Sequence, residues 1–67
     1  SSTMLNLAGT GASLGIPGGF LQMTEVTGVT APAANEARLY TEDNGAGKTR
    51  LVVRFPTGAV QVIATEP

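Results

Sequence analysis

The sequence predicts an all-β chain, a small three- to four-stranded antiparallel meander preceded by an extended glycine-rich N-terminal arm. Three observations lead there. Side chains alternate between two faces with a period of two over residues 36–42, 49–55 and 59–64, the pattern of strands with one side buried. Clusters of turn-forming residues separate these runs at residues 43–47 and 56–58. No stretch carries a helical period, so almost no helix is expected.

The division falls into an arm, residues 1–21, and a β-meander domain, residues 22–67. Residues 1–19 hold Gly9, Gly11, Gly15, Gly18, Gly19 and Pro17, which leave no regular spacing of either kind. Apolar residues are nonetheless scattered through the segment, too many for a solvated linker. Leu5, Leu7, Leu14, Ile16 and Phe20 are therefore the expected partner-binding residues of the arm. The open alternative is an arm folded over its own sheet.

Beyond the arm, Thr24, Val26, Thr27, Val29 and Thr30 are β-branched and interrupted by Gly28, which predicts a short strand with a bulge or bend. Pro32 ends it by removing a backbone donor and biasing its neighbour to an extended conformation. Residues 36–42 then place Ala37, Leu39 and Thr41 on one face and Arg38, Tyr40 and Glu42 on the other. Asp43-Asn44-Gly45-Ala46-Gly47 reverses the chain, since these residues tolerate positive φ. In the next strand Thr49, Leu51, Val53 and Phe55 share a face opposite Arg50, Val52 and Arg54. Pro56-Thr57-Gly58 is a second tight turn, and a third strand spans residues 59–64 with Val60 and Val62 on one face and Gln61 and Ile63 on the other.

Size and composition add the expectation of a homo-oligomer. A chain of 67 residues buries only ~60% of the surface its unfolded form exposes and is marginal alone. Disulfides are excluded by the absence of Cys, and the absence of His limits any metal to oxygen ligands. Charged residues make up 13% against 42% apolar, well below the ~25% usual in soluble domains. Partner chains are the remaining support. The expected order is a trimer, with Leu39, Leu51, Val53, Phe55, Val60 and Val62 in the oligomer core.

The same composition argues against other partners. Net charge is −1, and Arg38, Lys48, Arg50 and Arg54 are interspersed with Glu36, Glu42 and Asp43, unlike the clustered basic face that nucleic acid requires. No basic n-region precedes the first apolar residues and no run approaches the ~20 apolar residues that cross a bilayer. Neither a signal peptide nor a membrane partner is expected.

Candidate chemistry fails at required positions. Gly45-Ala46-Gly47-Lys48-Thr49 ends like a phosphate-binding P-loop, but Glu42 stands where its first glycine is needed and a strand follows instead of a helix. Gly9-Thr10-Gly11-Ala12-Ser13-Leu14 begins like a dinucleotide fingerprint and has Leu14 at the third glycine. Nucleophilic catalysis lacks a His or Cys. Glu42 and Asp43 point to opposite faces of a strand, and with Asn44 they offer too few oxygens for a calcium loop. No enzyme activity, cofactor or metal is expected.

One long segment carries a resemblance. Ala31-Pro32-Ala33-Ala34-Asn35-Glu36-Ala37-Arg38-Leu39-Tyr40, continued by Asp43-Asn44-Gly45-Ala46-Gly47-Lys48-Thr49 and Arg54-Phe55-Pro56-Thr57-Gly58-Ala59-Val60-Gln61, resembles a segment of bacteriophage and prophage virion proteins. It is similar over about half of the chain, to its last residues, and residues 1–30 take no part. The resemblance implies a virion structural protein, assembled in the host cytoplasm. Its first implied role is a capsid decoration or cement protein that binds the major capsid protein or another virion protein through the arm and stabilises the head. The chain's start and end carry the further expectation that it is a whole gene product. The alternative role is a head- or tail-fibre module packed around a threefold axis. A small host-surface or carbohydrate binding module is the third reading, weakened because Tyr40 is the only Tyr and no Trp is present to stack on a sugar.

Overall fold

The computed structural model describes residues 7–67. Its regular elements are three strands, β1 (Arg38–Asp43), β2 (Thr49–Arg54) and β3 (Gln61–Thr65), in one antiparallel sheet of order β1-β2-β3. There is no helix among the described residues. The chain is an all-β meander.

Turn chemistry explains the first reversal. Asp43 Oδ2 accepts from the Gly45 N–H at 2.7 Å, and Asn44 Oδ1 accepts from the N–H groups of Ala46 and Lys48 at 2.8 and 3.3 Å. The Asn44 N–H donates back to the Lys48 carbonyl at 2.9 Å, closing the loop. Short polar side chains thus hold the backbone donors that the sheet cannot reach. Each such bond contributes ~1 kcal/mol net. Asn44→Ala is expected to lower the thermal midpoint by ~4–8 °C per kcal/mol lost in a chain of this size, read by circular dichroism at fixed protein concentration.

The second connection is longer than a tight turn. β3 begins at Gln61, so residues 55–60 form the link, and Gly58 within it holds φ +87°, a conformation that a β-carbon would strain. Val60, expected inside the third strand, lies in this link.

Register decides which side chains share a face. Leu39 pairs with Val53 and Thr41 with Leu51, while Tyr40 pairs with Val52 and Glu42 with Arg50. On the other side of β2, Val53 pairs with Gln61 and Val52 with Val62, but Leu51 pairs with Ala64. Ile63 is therefore an extra residue, a bulge. Tyr40, Val52 and Val62 form one row across the sheet, on the face opposite Leu39, Leu51 and Val53. The expected six-residue oligomer core is thus divided, with Val62 on the other face and Val60 outside the strand.

The chain buries the face that alternation left outward. Val52 is 0% exposed and Tyr40 9%, whereas Leu39 is 50% exposed. Outside the sheet the one buried described residue is Pro32, with Met23 and Val29 half-buried. Arg38, on the Tyr40 and Val52 face, donates through Nη1 to the Thr30 carbonyl and to Thr30 Oγ1, both at 2.9 Å. The segment carrying Val29 and Pro32 is tied to that face through Thr30, where a single-layer sheet needs cover.

The strand expected around residues 24–30 does not form. Only one backbone bond joins that segment to the sheet, from the Val26 N–H to the Thr41 carbonyl at 2.9 Å. Gly28 at φ +73° turns the chain out of register, and Arg38 then captures Thr30 with its side chain instead of its backbone. Farther on, the Glu36 N–H donates to the Ala33 carbonyl at 3.2 Å around Asn35, which holds φ 67°. Asn tolerates that left-handed geometry better than most residues.

The β1 and β3 flanks are clipped to β2 by two carboxylates. Thr49 Oγ1 donates to Glu25 Oε2 at 2.5 Å, while Glu66 exchanges backbone and side-chain bonds with Thr49 at 2.8 and 2.9 Å.

Candidate functional site

Residues 7–22 are all exposed, among them Leu7, Leu14, Ile16 and Phe20, the last at 81%. Leu5 lies outside the described residues. Two weak turns shape this stretch, closed by bonds of 3.3 Å from the Ala12 N–H to the Gly9 carbonyl and from the Gly19 N–H to the Ile16 carbonyl. At the second, a β-carbon on Gly19 would meet Ile16 Cγ2 at 2.6 Å, so any other residue there would force the Ile16 side chain to move. Leu21 and Val26 are also exposed, although neither was expected to serve in contact.

Charge separates the arm from the rest. No Asp, Glu, Lys or Arg occurs in residues 1–24; the first is Glu25. Such a segment has no charged group to hold it in water or to repel a like copy.

The face of Leu39, Leu51 and Val53 is a second incomplete surface. Leu51 and Val53 are half-buried, and Phe55, just past the end of β2, is exposed. Thr41 lies between Leu39 and the turn on this face, and its Oγ1 is buried without a hydrogen-bond partner among the described residues.

Most of the cations are already engaged. Arg50 donates through Nε and Nη2 to Glu42 Oε2 at 2.8 and 2.6 Å, and Lys48 pairs with Glu66 at 3.7 Å. Arg38 and Arg54 stand opposite each other across β1 and β2, a like-charge pair that destabilises the sheet. Arg54 Nε is buried without an acceptor among the described residues.

Where a phosphate would have to sit, the loop is occupied by its own side chains. The N–H groups of Gly45, Ala46 and Lys48 are bonded to Asp43 and Asn44, and Thr49 opens a strand. Described residues enclose no cavity and bring together no group of three metal-ligating His, Cys, Asp or Glu side chains. Tyr40 is buried and offers no ring to a sugar.

No protein family, curated protein or solved structure matches the chain.

The surfaces to be explained are therefore the uncharged arm, the Leu39 face and the outer edge of β3. Calorimetric titration with ATP and with Ca²⁺ is expected to give no heat of binding in the micromolar range; a micromolar affinity for either would assign the Asp43 to Lys48 turn a ligand.

Proposed function

We propose that the chain is a structural subunit of a bacteriophage virion, a capsid decoration protein whose arm attaches to the shell while its sheet self-associates. It acts without catalysis, cofactor or nucleic acid. One observation carries the division of labour: residues 1–24 lack charge, and every described residue from 7 to 22 is exposed. Apolar groups such as Phe20 and Leu14 gain ~1.5–3 kcal/mol each when fully buried. A partner surface can supply that burial, and a capsid shell offers many copies of one surface.

Exposed area supports self-association. The chain presents 5449 Å² to solvent, against about 4,000 Å² for a compact monomer of its mass. Its radius of gyration is 13.6 Å, against about 11 Å for a compact chain of this length. An oligomer that covers the Leu39, Leu51 and Val53 face removes part of the excess, and a trimer packed through that face remains our assignment of order. The virion itself is supported by the resemblance of residues 31–67 to phage virion segments. The test is binding of the purified chain to empty heads of the virion that encodes it, with a rise in the heads' melting temperature as the expected result. Binding to tails and not to heads would favour the fibre reading.

A further inference from the structure

We propose that the outer edge of β3 is a self-pairing surface, on which two copies of the chain join antiparallel about a twofold axis to continue the sheet. This names a contact for the self-association proposed above, and it stands or falls separately from the virion reading.

The sheet has two edges, and among the described residues one is covered and the other is open. On β1, the Thr41 carbonyl already accepts from Val26, and the chain crosses that edge from Glu25, bonded to Thr49, to Thr30, bonded to Arg38. On β3, all five residues are exposed, including Val62 at 50% and Ile63 at 56%. An edge strand presents unpaired N–H and C=O groups, and proteins that stay monomeric blunt it with charge, proline or a bulge. Residues 61–65 contain no charge and no proline; the bulge at Ile63 is the one such device present. The strand is also held firmly for presentation, because Glu66 beyond it is bonded to Thr49 and paired with Lys48.

The occupant is a second copy for two reasons. Pairing β3 to β1 of a neighbour, which would propagate without closing, is obstructed by the segment on the β1 edge. Pairing β3 to β3 closes on itself, and the register that pairs all five residues centres on Ile63, setting Gln61 against Thr65 and Val62 against Ala64 of the second copy. No like charges meet in that register.

Twofold pairing gives an even number of protomers, six when it joins two of the trimers assigned above, and two where the Leu39 face is left unpaired. The contact is small, in the weak class of interfaces below ~1,200 Å², so sedimentation velocity is run on the full chain up to ~1 mM, where millimolar contacts are populated. The wild-type mass is expected to be even. Ile63→Lys, at a position without a β2 partner, places Lys against Lys and is expected to halve that mass. Gln61→Lys with Thr65→Lys is expected to halve it too, whereas Gln61→Lys with Thr65→Glu, which sets opposite charges across the axis, is expected to keep it. An odd or monomeric wild-type mass, or an unchanged mass for folded Ile63→Lys, would overturn the proposal. So would an Ile63→Lys chain that keeps its mass and loses binding to heads, since the edge would then serve another virion protein.

Discussion

Val52→Asp abolishes the fold. Val52 is the only fully buried large side chain among the described residues, at the centre of the row Tyr40, Val52 and Val62. An unpaired carboxylate in that position costs several kcal/mol even after relaxation, or else it must protonate. A chain this small has ~3–5 kcal/mol of core stabilisation in total, so the substitution exceeds what is available. Val52→Ala removes two carbons at ~0.8 kcal/mol each and leaves a gap besides. It is expected to lower stability by about 2 kcal/mol without unfolding the chain at low temperature. Leu39→Asp is the control, because Leu39 is half exposed on the opposite face. Amide dispersion by NMR should collapse for Val52→Asp and persist for Leu39→Asp. Collapse of both would mean that the chain folds only when the oligomer covers the Leu39 face.

That asymmetry also marks where the sequence was legible. Strand positions follow from alternation and from the turn residues, and each strand is found within two residues of its expected start. Asp43 and Asn44 announce their turn because their side chains bond the backbone within the loop itself. The buried face was not legible. Residues 49–55 carry more apolar bulk on the side of Leu51, Val53 and Phe55 than on the side of Val52, so periodicity marks an apolar face but does not show that the chain itself covers the Val52 side. Cover decides instead, and the segment tied to that face by the bond from Arg38 to Thr30 is distant in sequence from Val52. The bulge at Ile63 was invisible for a related reason. It is a misfit between β2 and β3, a property of two strands in register that neither strand shows alone. Without it, Ala64 would share the face of Val62.

Removing residues 1–15 is expected to leave the sheet folded and to abolish the attachment to heads proposed above. Among the described residues, none of the hydrogen bonds that build or clip the sheet comes from residues 7–15; the first backbone bond to it is made by Val26. The deletion should therefore leave the far-UV spectrum strand-like and the oligomer mass per protomer count unchanged. It removes Leu5, Leu7 and Leu14, each contributing ~1.5–3 kcal/mol when fully buried against a partner. Part of that gain is offset by the entropy of ordering a glycine-rich backbone. A net loss of ~3 kcal/mol already weakens binding ~100-fold, since each 1.4 kcal/mol is tenfold in Kd. The full-length double variant Leu7→Asp, Leu14→Asp separates contact from mere length: it keeps every residue of the arm and places charge where shell burial is required. Co-sedimentation with heads should fail for both variants, and neither should raise the heads' melting temperature. If both still decorate heads as the full chain does, attachment lies in the sheet, and the arm acts as a clasp between copies.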